Sequence, residues 1–295
     1  MTHLHEEAAE AVVADYADRA GYDPAFVGPE PELRVDLPTM VREPGDVLAF
    51  EDRGATTSEL RYEHFSVTMS RARRLCLWSA VNVSGTQRES ARRASWRIDP
   101  RIARDAQTTG GEGALDVFGD PPKFARGHMT RRQDPIWGEP VRAALGNKDS
   151  MHYTNAVPQM QPFNGGIWLG LEDYALAHTI EDRMRICVFT GPVLDEDDPV
   201  RFGVQIPLVF WKVIAFVHDD TGALTATGYL MSQATFVTGQ EFVFGAHETA
   251  QRRVAELEGL TGLSFGPLAA LDPLPAHAEE LAAGPLRDFS QIVLV

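Results

Sequence analysis

Tyr153-Thr154-Asn155-Ala156-Val157-Pro158-Gln159, then Phe163-Asn164-Gly165-Gly166-Ile167-Trp168, then Leu171-Glu172-Asp173, is the stretch on which the chain's architecture turns. Asn164 stands where a helix can begin. On one helix Asn164, Trp168 and Glu172 fall at i, i+4 and i+8, within about 80° of one another. Ile167, Leu171 and Ala175 then face a core. The spacing predicts a stripe that shows an amide oxygen and a carboxylate to solvent. A neutral amide with mostly water ligands suits Mg2+, which gives up its water reluctantly. The same residues also read as an N-cap and a solvated helix charge. On this segment alone both readings stay open.

Upstream runs Phe124-Ala125-Arg126-Gly127-His128, then Met129-Thr130-Arg131-Arg132. In an extended segment Arg126 and His128 project to one face and Ala125 to the other. Arginine clamps a phosphate, and histidine takes a proton from water near neutral pH. The pair sits in a basic segment. Arg71 to Arg132 holds 13 Lys/Arg against 6 Asp/Glu, inside a chain of net charge −15. The total charge argues against a nucleic-acid partner. The local excess is either a solvated face or a phosphate-binding surface.

The 295 residues, 44% hydrophobic, suffice for one large core. His64 to Met69 and Leu75 to Val83 read as strands around a basic turn, Ser70 to Arg74. Arg185 to Thr190, Leu208 to Val217 and Ala223 to Ser232 are further strands, with a short one at Gly239 to Gly245. Asp105 to Asp120 reads as a loop. Thr249 to Leu260 reads as a helix that Gly262 ends. Strands and helices without regular alternation predict an α+β fold. Residues 1–55 form an N-terminal unit: a helix from His5 to Ala20, ended by Gly21, then an arm rich in proline (Pro24, Pro29, Pro31, Pro38, Pro44). Residues 56–295 are the main domain. The longest apolar run, Ile206 to Val217, is interrupted by Lys212 and too short to span a bilayer. No membrane partner is expected. The acidic start lacks a secretory core, and Cys76 and Cys187 cannot build a disulfide framework. Both point to a cytoplasmic protein with buried thiols. His152 reads as a packed histidine, and Asp195 to Asp198 as a solvated loop.

Ala125-Arg126-Gly127-His128, Thr154-Asn155, Pro158-Gln159, Asn164 and Trp168 to Glu172 together resemble the signature of the DNA/RNA non-specific endonucleases, the endonuclease G and Serratia nuclease type. The nine-residue step from Asn155 to Asn164 and the eight-residue step to Glu172 fit that pattern. So do Thr190-Gly191-Pro192, Pro207 with Phe210-Trp211-Lys212-Val213, and Thr261-Gly262-Leu263. The resemblance covers about residues 60–272. It implies a His-Me finger (ββα-metal) nuclease with a central, mostly antiparallel sheet flanked by helices. It implies His128 as general base, Asn164 as the direct ligand of one Mg2+ (Mn2+ or another divalent ion substituting), and Glu172 as holder of a metal-bound water. Asn155 would orient the site. Arg126 would contact phosphate, and Arg93 would stabilise the transition state, with Arg92 one residue away as the alternative. Gln159 joins Arg92, Arg93 and Arg126 as a substrate-binding residue. The implied activity is cleavage of DNA and RNA with little sequence preference, leaving 5′-phosphates. A homodimer and a regulatory protein partner at the N-terminal arm are further expectations. One position departs: the family motif opens with Asp where this chain has Ala125. That leaves a catalytically silent nucleic-acid-binding protein as one alternative; the other is a partner-regulated effector nuclease of a bacterial defence or toxin system, in which the acidic arm docks a partner or restrains the nuclease.

Overall fold

The computed structural model describes residues 16–109, 117–118, 124–164, 167–238 and 250–274. Its centre is one seven-stranded sheet. The strands are β1 (Leu60–Arg61), β2 (Phe65–Met69), β3 (Cys76–Ser84), β6 (Arg185–Val193), β7 (Val209–Val217), β8 (Leu224–Ser232) and β9 (Ala250–Arg252), in the spatial order β9-β8-β7-β6-β3-β2-β1. Two more strands, β4 (Ala125–His128) and β5 (Ala156–Gln159), form a separate antiparallel pair. Every pairing within the sheet is antiparallel. With helices α1 (Pro140–Asp149), α2 (Gln161–Asn164), α3 (Ile167–Glu181) and α4 (Val254–Thr261), this is the α+β architecture expected.

The sheet is buried on both faces, so its long strands are nearly continuous apolar runs. Alternate residues serve opposite layers. Ile186, Val188, Phe210, Ile214 and Phe216 pack with Met129, Ala156, Val157, Phe163 and Leu171, from the β4–β5 pair and the helices after it. Cys187, Phe189, Trp211, Val213 and Ala215 pack with Val254, Leu257 and Phe265 on the other side. In β3 the alternation slips. Cys76 joins the first layer, Leu77 and Trp78 both join the second, and the β2–β3 register shifts at Thr68/Met69. One extra residue at this bulge moves the next residues of the strand to the opposite face.

Three sequence expectations change. Thr249 to Leu260 is not one helix. Residues 250–252 extend the sheet beside β8, and the helix starts at Val254. Three residues are too few to show a period. Gly262 does end the helix, with φ 70° and its N–H donating to Glu258 O at 2.9 Å. The arm shares the core of the main domain rather than forming a unit of its own: Tyr22, Phe26 and Val35 lie in the second core layer, and Thr39–Met40 pairs with Leu263–Ser264. Apolar side chains spaced by prolines fill a face that regular elements leave open. The Asp195 to Asp198 loop is only partly solvated, since Asp198 is buried against Arg73 at 2.5 Å. Most of the helix expected at residues 5–20, the strand at 239–245, much of the loop at 105–120 and the tail lie outside the described residues.

Candidate nuclease site

β4 and β5 pair in the register Ala125↔Gln159, Arg126↔Pro158, Gly127↔Val157, His128↔Ala156. Two antiparallel strands followed by α2 and α3 make a ββα unit. Opposite residues share a face, so Arg126 and His128 look one way and Ala125, Gly127 and Gln159 the other. A Cβ at 127 would lie 2.1 Å from Gln159 Oε1, so any larger residue there would displace the Gln159 side chain.

The imidazole of His128 is half-buried beside the Trp96 ring, centroids 4.7 Å apart. Its Nε2 lies 3.4 Å from Met151 Sδ. A thioether is only a weak acceptor, so Nε2–H directed at it leaves the Nδ1 lone pair open. Burial, then the charges of Arg93 and Arg132, lower the His128 pKa to about 3. The ring is therefore neutral at pH 7. Burial, then Arg93 and Arg131, also lower Arg132. Like charges gathered this way are relieved by an incoming anion. Arg93 and Arg92 are both exposed, but the charge that acts on His128 is that of Arg93. Arg126 lies among the rings of Trp96, Phe118 and Tyr153, 5.7–5.9 Å from each. Its Nη2 donates to Phe118 O at 3.3 Å, and its buried Nε has no hydrogen-bond partner among the described residues.

Asn155 is fully buried with its amide saturated. Oδ1 accepts from Thr130 N–H at 2.8 Å, and Nδ2 donates to Thr130 O at 2.8 Å and Ser150 O at 3.0 Å. Its own carbonyl accepts from Met129 N–H at 3.0 Å. Asn155 thus fixes the chain just past His128, with both Nδ2 protons engaged by protein carbonyls. Gln159 is corrected. It is 0% exposed and on the face away from Arg126 and His128, so it does not line a substrate surface.

Asn164 lies in α2 and Glu172 in α3, and residues 165–166 between them lie outside the described residues. Asn164 is half-exposed, on a helix packed against β4. Glu172 turns towards the sheet. Its Oε1 is 3.4 Å from Lys212 Nζ and its Oε2 3.9 Å from Arg131 Nε. Burial pushes its carboxyl up, and Lys212 offsets part of that. Lys212 Nζ also donates to Thr190 Oγ1 at 2.8 Å. Among the described residues no three His, Cys, Asp or Glu side chains cluster to hold a metal, and no helix is long and apolar enough to cross a membrane.

A family model of DNA/RNA non-specific endonucleases matches residues 43–270. The chain belongs to this family. The match opens inside the arm, in keeping with the arm's place in the core. A relative in Sinorhizobium fredii (strain NBRC 101917 / NGR234), named only "Uncharacterized protein y4fB", is 37% identical over 236 residues. That alignment takes in 76% of this chain and 34% of the relative, so the chain spans about a third of that protein's length. Among solved structures, a chain from the EndoG/EndoGI complex, described as showing the mechanism of EndoG inhibition, matches with a TM-score of 0.54 and 18% identity. The match covers 72% of this chain and 87% of that one, and it supports the shared fold.

Three neighbours of His128 carry no signal in the sequence that marks them as such: Trp96, Arg132 and Met151. Arg132 lies four residues on and adds a further cation to the basic segment. Trp96 and Met151 come from loops 32 and 23 residues away, and no periodicity links them to His128.

Proposed function

We propose that the protein is a metal-dependent endonuclease that hydrolyses phosphodiester bonds of DNA and RNA with little sequence preference and leaves 5′-phosphates. The observation that carries this is the β4–β5 pair, which sets Arg126 and His128 on one face ahead of α2 and α3, in a chain whose residues 43–270 match the nuclease family. Nδ1 of His128 removes a proton from water as its oxygen attacks phosphorus. Arg93 and Arg132 draw the phosphate in and balance charge that grows on its oxygens. Arg126, on the same face as His128, holds the same group. Phosphate contacts of this kind carry no base information, which accounts for weak sequence preference.

The donor chemistry fits a hydrated divalent cation. A half-exposed amide oxygen and no carboxylate cluster among the described residues suit Mg2+ that keeps most of its water. Asn164 would hold the ion directly and Glu172 through a water. The ion would supply charge stabilisation at the phosphate and the leaving oxygen. Plasmid DNA and RNA incubated with Mg2+ or Mn2+ should be cut, EDTA should stop cutting, and His128→Ala should abolish it. Equal cutting by His128→Ala would refute the assignment.

A second reading, a site weakened by Ala125, has its own observation. Ala125 stands opposite Gln159, whose buried Oε1 and Nε2 have no partner among the described residues. A homodimer and a regulatory partner for the arm stay within the proposal, and the size of the complex in solution tests both.

A further inference from the structure

The segment from Asp149 to Asn155 meets His128 at two points. Met151 Sδ lies 3.4 Å from Nε2, and Asn155 pins Met129 and Thr130. The same segment is gripped from behind by two residues of the N-terminal arm. The Tyr16 hydroxyl is 2.6 Å from His152 Nε2, and His152 Nδ1 is 2.6 Å from Asp149 O. The carbonyl can only accept, so Nδ1 carries the proton and the Tyr16 O–H donates to Nε2. Arg19 Nε donates to Asp149 Oδ2 at 2.6 Å, and that oxygen also accepts from Glu63 N–H at 3.0 Å. Tyr16, Arg19, Asp149 and His152 are all buried. Arg19 Nη2 is buried with no partner among the described residues; the links that are made hold the segment, because breaking one strands a further buried polar group.

We propose that Tyr16 and Arg19 are positioning residues of the nuclease site, locking the 149–155 segment that in turn sets His128 through Met151 and Asn155. The proposal rests on the functional reading above for its catalytic consequence, but not for its structural one. Neither arm residue touches the face where substrate binds. Both act through a segment that does two jobs at once, holding the arm on one side and the base on the other.

The test uses the full chain with Tyr16→Phe and, separately, Arg19→Gln and Arg19→Lys. Tyr16→Phe keeps the ring that packs 4.3 Å from the Arg101 guanidinium and removes one donor. Amide exchange at Thr130 and Asn155 should quicken by about tenfold, the scale of one buried hydrogen bond, while amides of β3 and β6 change by less than about twofold. On a DNA substrate kcat should fall by about tenfold, with KM within about twofold. Arg19→Lys should restore part of what Arg19→Gln loses. Exchange that rises equally across the sheet, or not at all at Thr130 and Asn155, would overturn the proposal. If Tyr16→Phe does not fold, the Arg19 pair carries the same comparison. If the parent chain cuts nothing, the functional reading fails while the exchange comparison still decides the positioning role.

Discussion

Asn155→Ala separates a residue that builds the site from one that touches substrate. The substitution removes an acceptor for Thr130 N–H and a donor for each of two carbonyls, Thr130 O and Ser150 O. All three backbone groups are then left in a place closed to water. Each buried group without a partner costs roughly 1–3 kcal/mol. Some relaxation and water entry recover part of this, so about 4 kcal/mol of lost stability is expected, against a total of about 5–15 kcal/mol for a typical domain. Urea unfolding followed by tryptophan fluorescence should show the midpoint falling without a change in slope. Cleavage should be lost in parallel, because Met129 and Thr130 are released beside His128. Asn155→Asp keeps the acceptor but turns a carboxylate towards two carbonyls. That carboxyl is pushed above its ordinary value of about 4, so the variant should lose further stability as pH rises through that region. A loss under about 1 kcal/mol in Asn155→Ala, together with abolished cutting, would place Asn155 against the substrate and refute the argument.

Burial holds His64 at about 4 and, with Arg93 and Arg132, His128 at about 3, so both rings should show neutral 15N patterns at pH 5; a His128 midpoint near the ordinary 6.5 would contradict this. Because protonation favours the unfolded chain, their contribution to stability is complete above about pH 6.5 and declines as pH falls towards 4. Arg93→Ala should slow cleavage at least about tenfold and lower the salt slope of binding by about one, whereas Arg92→Ala should change the rate by less than about threefold. Ala125→Asp should offer an acceptor to the stranded Gln159 amide, raising both the melting temperature and the cleavage rate; no gain in either would show that position 125 does not weaken the site.

The long strands are legible in the sequence because they are buried on both faces, so Ile186 to Phe189 is an unbroken apolar run and Val209 to Val217 is interrupted only by Lys212. The ββα unit is legible through spacing: Arg126 and His128 on one strand, then Asn155, Asn164 and Glu172 at fixed steps. The failures share a cause. Strand 250–252 is set by its partner β8 rather than by its own pattern. The basic segment looks like a single surface, yet Arg101 is buried against Asp99 at 2.6 Å and Arg73 against Asp198, so part of the charge is internal scaffolding. Composition counts charges but does not say which of them have partners.

The arm shows why a boundary drawn from composition misleads. Prolines and acidic residues suggest a detachable unit, and removing residues 1–50 would then test a regulatory role. In the fold that truncation would strip Tyr22, Phe26 and Val35 from one core layer, and Tyr16 and Arg19 from the segment behind His128. Loss of activity on truncation would therefore say nothing about regulation. The informative change is smaller: one hydroxyl at Tyr16, buried, hydrogen-bonded and away from the substrate face. If partner binding to the arm alters nuclease activity, the Tyr16–His152 and Arg19–Asp149 contacts are the route by which it would do so. A partner should then lose its effect on cleavage in Tyr16→Phe while still binding. Binding and effect that both persist in Tyr16→Phe would place the coupling elsewhere.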